Sequence, residues 1–127
     1  MFESLSITRM AEALANHAGT RLGLIARNVA GADTPGYKAL DLQDFAKSYQ
    51  DAELDGMRTT RPGHLTSAAN AMTPIIQPSG GEASPDGNTV SLEKEMVRSV
   101  EVRQQHDMAL AIYRSTGDII RASLGRR

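Results

Sequence analysis

The histidines are the side chains of this sequence that would first suggest catalysis or metal binding. His17, His64 and His106 are isolated along the chain, and none lies in an HExxH arrangement or another spacing that brings two imidazoles to one metal ion. We therefore expect each of them to be a solvated surface residue. The chain contains no cysteine, which excludes disulfides, thiolate chemistry and cysteine-based zinc sites.

The acidic residues form no recognisable ligand set. Asp86-Gly87-Asn88 could suggest a calcium loop, but the ligands that should precede and follow the glycine are absent, so the segment is interpreted as a turn. No GxGxxG, GxSxG or P-loop motif occurs. The protein is therefore not expected to be an enzyme, and we predict no catalytic residue, metal or cofactor. The other carboxylates are interpreted as helix caps and solvated side chains: Glu12, Asp41, Asp44, Glu93 and Glu95.

The overall charge does not favour nucleic acid as a partner. The chain has 127 residues, enough for one domain, and a formal net charge of −1. Arginines are frequent near its end, but acidic residues interleave with them and no aromatic stacking platform accompanies them. No run of about 18 apolar residues is long enough to span a bilayer. The first residues lack the apolar core of a secretory signal, so any export is expected to use another route.

Two long helices are predicted to position whatever the protein binds. The first covers about residues 5–31, where apolar side chains share an arc of roughly 120° at 100° per residue. This stripe consists of Ile7, Met10, Ala11, Leu14, Ala18, Leu22, Ile25, Val29 and Ala32. A neighbouring ribbon of small residues either weakens the helix, at about 1 kcal/mol for each glycine, or lets another helix approach closely. The ribbon consists of Ala15, Gly19, Gly23, Ala26 and Ala30.

The second long helix is predicted over about residues 91–124, with Ser91 as its N-cap. Its apolar residues fall on two roughly opposite sides. The early side carries Met96, Val97, Val100, Met108 and Ala111, and the later side carries Ile112, Tyr113, Ile119, Ile120 and Leu124. One partner helix cannot cover both sides. Either the pattern changes beyond Gly117 or, as we favour, the helix meets several neighbours.

The region between these helices is less regular. A short helix is predicted over about residues 41–54, followed by a loop at 56–89 in which about a third of the residues are Gly, Pro or Ser. Within this loop, Thr73 to Ile76 could form a short extended piece. The expected architecture is all-α: a single domain, 1–127, in which the long terminal helices pack as a coiled-coil-like pair, with a short middle helix and a long irregular loop. So thin a core is expected to need stabilisation from other subunits.

The turn at residues 31–40 is specified in unusual detail. Gly31 can take the left-handed conformation that ends a helix, and Asp33 can form an Asx-type turn. Thr34-Pro35-Gly36-Tyr37 places proline and glycine at the central positions of a type II turn. A helix stop alone would need one glycine, whereas this segment fixes the path of about eight residues.

The sequence NVAGADTPGYKA, residues 28–39, resembles the signature that follows the amino-terminal helix in bacterial flagellar axial proteins. Gly31 departs from that signature, which usually has a second asparagine there. DGNTVSLEKEMVRSVEVRQQ, residues 86–105, is similar to the family's segment before the last helix. Together with the short length, it indicates the flagellar basal-body rod proteins, of the proximal-rod type. The motif and turn residues are Asn28, Val29, Ala30, Thr34, Pro35, Gly36 and Tyr37.

The resemblance implies a structural subunit of the bacterial flagellar basal-body rod in the periplasm. It implies export by the flagellar type III apparatus without a cleaved signal peptide. The partners would be copies of the chain and other rod and basal-body proteins, which form a helical drive shaft that transmits torque and surrounds the export channel. In this family the terminal helices order on assembly.

The resemblance also suggests how the apolar stripes are used. Leu14, Leu22, Ile25 and Val29 would face the helix at 92–124, while the small-residue ribbon and the later side of that helix would meet other subunits. The predicted assembly surface consists of Leu14, Leu22, Ile25, Val29, Met96, Val100, Ile112, Ile119 and Ile120.

Three alternatives remain open at this point. The chain could be another short rod subunit of the same family. It could instead be an independent helical adaptor or chaperone that binds a partner through an exposed stripe. Nucleic-acid binding through the arginines of the last helix is a weaker alternative, which steep salt dependence of binding would support.

Overall fold

The computed structural model describes residues 2–54 and 72–125 and is mainly helical, as predicted. Its elements are helix α1 (Phe2–Ala30), strand β1 (Leu40–Leu42), helix α2 (Phe45–Leu54), strand β2 (Ile76–Pro78) and helix α3 (Leu92–Ser123). Residues 56–71 of the predicted loop, and with them His64, lie outside the described residues. None of the helices described has the length and apolar character needed to cross a membrane.

The boundaries differ from prediction at two places. The short helix begins at Phe45 rather than near residue 41, because Leu40–Leu42 form a strand. The extended piece in the loop is β2, at Ile76–Pro78, slightly later than the predicted Thr73–Ile76. Ser91 is the N-cap of α3 as predicted, although its side chain makes no capping hydrogen bond.

The two long helices are antiparallel and meet along a seam with a seven-residue spacing. On α1 the buried residues Ala11, Ala18 and Ile25 follow this spacing. On α3 it is followed by Glu95, Val102, Ala109 and Thr116. A seven-residue repeat is typical of a left-handed coiled coil. Small side chains dominate the seam, so the helices can approach closely.

The seam corrects the predicted use of α3. The residues of α3 that are buried carry one valine, one alanine and two polar side chains, and they belong to neither predicted apolar side. Met96 and Val100 are 69% and 68% exposed. Val29 of α1, which was predicted to face α3, is 43% exposed. The apolar pattern misled because the side chains that contact α1 are small or polar.

Strand β1 lies against α1 and pairs with β2. The register is antiparallel, with Leu40 opposite Pro78, Asp41 opposite Gln77 and Leu42 opposite Ile76. Leu42 of β1 and the preceding Ala39 are buried, at 3% and 2% exposure. Burial and strand pairing therefore override the helix-compatible spacing that the sequence shows in this segment.

Enlarging a seam residue is expected to destabilise the pair. Ala109 is fully buried in the seam, whereas Ala111 is exposed on the same helix. We expect Ala109→Leu to lower the free energy of unfolding by about 1–3 kcal/mol through overpacking. The control Ala111→Leu is expected to change it by less than about 0.5 kcal/mol. Urea unfolding followed by circular dichroism measures both, and equal midpoints would contradict the seam.

Candidate assembly junction and surfaces

Asn28 joins α1 to β1 and α3 at a single buried point. Its side chain is 1% exposed. The Nδ2 amine donates to the Leu40 carbonyl at 2.8 Å and to Glu95 Oε2 at 3.1 Å. Oδ1 accepts from the Leu40 N–H at 3.0 Å and from the Tyr37 hydroxyl at 3.4 Å. Because a carboxamide offers the same donor and acceptor as a peptide unit, Asn28 bonds Leu40 as a neighbouring strand would.

Asn88 caps the end of α1 from a distant part of the sequence. It is 3% exposed, and Nδ2 donates to three main-chain carbonyls: those of Gly31 at 3.0 Å, Ala32 at 2.8 Å and Thr34 at 2.9 Å. Its Oδ1 accepts from the Val90 N–H at 2.8 Å. The carbonyls of Gly31 and Thr34 also accept from the N–H groups of Thr34 and Tyr37 within the turn. Asn88 therefore ties together three successive parts of the turn that follows α1, and it supplies the Ala32 carbonyl with its donor.

Glu95 brings a carboxylate into the same junction, where the sequence predicted a solvated side chain. It is 2% exposed in the first turn of α3, where the helix dipole favours negative charge. Its Oε1 accepts from Arg98 Nη1 at 2.9 Å, and its Oε2 accepts from Asn28. Arg98 lies one turn further along the same helix and is 26% exposed. The bond to Asn28 is the one that crosses to α1, so it fixes the rotation of α3 about its own axis relative to α1.

The turn after α1 follows the prediction at residues 34–37 and departs from it at Gly31. The Tyr37 N–H donates to the Thr34 carbonyl at 3.2 Å, and Gly36 has a φ of +75°, as a type II turn requires. Gly31 is not among the glycines with positive φ, so the predicted left-handed cap is wrong. A Cβ at Gly31 would instead lie 2.6 Å from the Tyr37 ring. The glycine leaves room for that ring.

The two motif segments of the sequence lie side by side. The Gly36 N–H donates to the Asp86 carbonyl at 3.0 Å, and the Thr89 N–H donates to the Tyr37 carbonyl at 3.0 Å. Thr89 Oγ1 accepts from the Ala39 N–H at 2.8 Å. The residues that the sequence interpretation treated as two separate turns therefore form one structural unit.

A second row of polar contacts holds the chain after Leu40 against α1. His17 Nε2 lies 2.9 Å from the Gln43 carbonyl oxygen, and the Arg21 guanidinium donates to both carboxylate oxygens of Asp41 at 2.7 and 2.8 Å. His17 is 3% exposed, so the expectation that it is solvated is wrong. Asp41 was also expected to be a cap or a solvated side chain, and this is wrong because the chain after Leu40 covers this face of α1.

Electrostatics stabilise the Arg21–Asp41 pair. Burial alone would raise the pKa of Asp41. Hydrogen bonds from Arg21 and the Leu42 N–H, together with the positive charges of Arg21 and Arg98, outweigh the effect of burial, so the pKa is lowered. The hydrogen bond to Asp41 raises the pKa of Arg21. Both groups are therefore charged at neutral pH.

The predicted assembly residues are divided between the helix seam and the surface. Ile25 is 5% exposed and packs with Ala18 and Val102, with Leu22 against them. Leu14 and Ile120 are partly buried. The remaining members are exposed: Val29 at 43%, Met96 at 69%, Val100 at 68%, Ile112 at 37% and Ile119 at 62%.

The outer side of α3 presents exposed apolar side chains, with Gln104 and Asp107 between Val100 and Met108. Met96, Val97, Val100 and Met108 are 51–69% exposed. The side chains at positions 97 and 100 lie roughly opposite Glu95 on the helix, at 100° per residue. We call these four residues the outer face of α3. Exposed contiguous apolar surface commonly marks an interaction site.

The small-residue ribbon of α1 is also free within the described chain. Gly19, Gly23, Ala26 and Ala30 are exposed, and a Cβ at either glycine would meet nothing within 4 Å. Packing within the described residues therefore does not require glycine at these positions.

The sequence interpretation missed Asn88, Glu95, His17 and Arg21 as contributors to this junction. The spacing of His17, Arg21 and Asn28 could have indicated a shared polar face. Arg21 and Asn28 are four and eleven positions after His17, which places all three on one side of a helix. No comparable local signal links Asn28 to Glu95, which are 67 residues apart.

Comparison with known proteins gives a consistent result, although no family model matches the chain. The relatives found are named flagellar basal body rod protein FlgB. That of Escherichia coli K12 is 32% identical over 106 residues, 76% of each chain. That of Cereibacter sphaeroides is 35% identical over 109 residues, covering 77% of this chain and 79% of the relative. That of Agrobacterium fabrum is 28% identical over 120 residues, covering 89% and 88%.

Replacing Asn88 tests the distant cap of α1. Asn88→Ala leaves the Ala32 carbonyl without its amide donor, while the carbonyls of Gly31 and Thr34 keep main-chain donors, and we expect the free energy of unfolding to fall by about 1–3 kcal/mol. Asn16→Ala, at an exposed position of α1, is the matched control and is expected to shift it by no more than about 0.7 kcal/mol. Urea unfolding decides between them, and similar losses in both variants would refute the cap.

The Arg21–Asp41 pair predicts a dependence of stability on acid. Because the folded pKa of Asp41 is lowered, its contribution is complete above the unfolded pKa, near 4, and is lost as the pH falls through the folded value. Asp41→Asn is expected to cost about 1 kcal/mol at pH 7 and to flatten the decline of stability below about pH 4.

The matched control for this pair is Asp118→Asn. Asp118 pairs with Arg121 at 3.4 Å on an exposed surface, where an ion pair contributes little. When unfolding is measured at a series of pH values, the stability of the Asp118→Asn variant should match that of the parent chain across the acid range. A parent-like acid profile in Asp41→Asn would show that the pair is not responsible.

Proposed function

Since the chain belongs to the FlgB family of flagellar basal-body rod proteins, we propose that it assembles with its own copies and other rod proteins into the helical shaft that transmits torque. The observation that carries this proposal is the outer face of α3. Met96 and Val100 are about two-thirds exposed on a helix whose opposite side is covered by α1. Such a face is costly in water and favourable once a neighbouring subunit covers it.

The distribution of the apolar surface supports an open assembly rather than a closed dimer. The outer face of α3 and the residues Ile119 and Leu124, at 62% and 71% exposure, lie at different places along the helix. The small-residue ribbon of α1 offers a further surface of different shape. Contacts between unlike surfaces generate rings or open helical assemblies, and they generate an open helix when the rotation does not close.

The hydrogen-bonded junction around Asn28 supports the torque-transmitting part of the proposal. A subunit that transmits torque must resist rotation of one helix against the other. The hydrogen bonds from Asn28 to Glu95 and to β1, and the cap that Asn88 provides, tie the ends of both helices together. The contribution of the protein is then packing and geometry, with no chemical step.

Family membership supports the remaining parts of the proposal. Residues 1–127 act as one rod domain located in the periplasmic part of the basal body. The chain leaves the cytoplasm through the flagellar type III apparatus and surrounds the export channel once assembled. A small helical core supports ordering of the long helices on assembly, because neighbouring subunits then add the burial that one helix pair lacks.

Placing charges on the outer face of α3 tests the proposal. We expect the double variant Met96→Asp, Val100→Asp to keep its helical circular dichroism, because both side chains face solvent. In a strain that lacks its own copy of this rod protein, the variant should abolish swimming in soft agar, because it buries two charges at subunit contacts. Electron microscopy should show no complete rods.

Gln50→Asp is the matched control, since it adds a charge at an exposed position of α2. It should restore swimming as the parent does. Normal swimming with the folded double variant would contradict the proposal. If a soluble partner is found to bind the parent chain in that case, the adaptor function would be favoured instead.

A further inference from the structure

The pairing of β1 and β2 fixes which main-chain groups of β2 face away from β1. The Gln43 N–H donates to the Ile75 carbonyl at 2.9 Å, and the Ser79 N–H donates to the Ala39 carbonyl at 2.9 Å. In an antiparallel pair, hydrogen-bonded and non-hydrogen-bonded positions alternate along the strand. Residues 75, 77 and 79 therefore direct their main-chain groups toward β1, and residues 74, 76 and 78 direct theirs outward.

Two of these three outward positions are occupied by proline. Pro74 and Pro78 have no N–H, so of the three positions only Ile76 can donate a hydrogen bond to an added strand. Prolines on the outward side of an edge strand do not weaken the existing pair, because the missing donors would not have been used in it.

Without the prolines, the exposed apolar side chains of this edge would favour pairing with a strand of another chain. Ile75 is 48% exposed and Ile76 is 53% exposed. An exposed apolar edge with free donors and acceptors is a template for pairing with another chain. The opposite edge of the sheet is closed differently, since the carboxamide of Asn28 bonds both the N–H and the carbonyl of Leu40.

We propose that Pro74 and Pro78 close β2 to strand addition by a second copy of this chain. Each copy then presents a two-stranded sheet in which Asn28 occupies Leu40 at one edge and the two prolines leave one outward N–H, that of Ile76, at the other. Association between copies is thereby confined to other surfaces of the molecule. The two prolines thus prevent β2 of one copy from pairing with a strand of another copy.

The double variant Pro74→Thr, Pro78→Thr tests this proposal. Threonine favours strands and restores an outward N–H at each position. We expect self-association at about thirtyfold lower concentration than in the parent, as two restored hydrogen bonds of about 1 kcal/mol each imply. Sedimentation measures the association, and the infrared band of intermolecular strands distinguishes it from packing of helices.

Two further variants keep the result interpretable. Pro85→Thr, in the turn closed by the hydrogen bond from the Gly87 N–H to the Ser84 carbonyl, is the matched control and should associate as the parent does. Adding Ile76→Lys to the double variant should reverse the gain, because a charged edge repels a second copy.

If the double variant loses its helical circular dichroism, each single variant is measured instead and should show part of the gain. A folded double or single variant with parent-like sedimentation and no intermolecular strand band would overturn the proposal.

Discussion

The carboxamide of Asn28 is the constraint on which the rest of the structure depends. A buried amide must have its donors and acceptor paired, and here β1, Tyr37 and Glu95 supply the partners. Because Glu95 lies on the seam of α3, its bond to Asn28 sets how that helix is rotated. The next residue, Met96, and the outer face of α3 must then point away from α1. One hydrogen-bonded centre thus decides which apolar side chains remain for other subunits.

The end of α1 depends on the same centre through Asn88. The family signature usually has a second asparagine at position 31, where this chain has Gly31. In this chain Tyr37 packs so closely on Gly31 that a Cβ would lie 2.6 Å from its ring. The side-chain amide that bonds the carbonyls of Gly31 and Ala32, directly after α1, belongs to Asn88 in the second motif segment. The two segments are therefore one device for fixing the path of the chain as it leaves the helix.

The parts of the fold that could be predicted are those with a local signal. The stripe of α1 predicted a long helix, and Pro35-Gly36 predicted the type II turn. The seam of α3 could not be predicted, because Glu95, Val102, Ala109 and Thr116 form no apolar stripe. Nor could β1, since its spacing fits a helix and contacts with Asn28, Arg21 and β2 hold it extended. The role of Asn88 depends on contacts 54 to 57 residues away in sequence, which no local pattern reveals.

The central claim is that the outer face of α3 is open in the free chain and covered in the rod. Methionine oxidation measures this directly, because peroxide converts an accessible thioether to a sulfoxide that mass spectrometry detects. Met96 is 69% exposed in the single chain. We expect it to be oxidised readily in the purified protein and to be protected in isolated basal bodies. Equal oxidation of Met96 in both preparations would contradict the account.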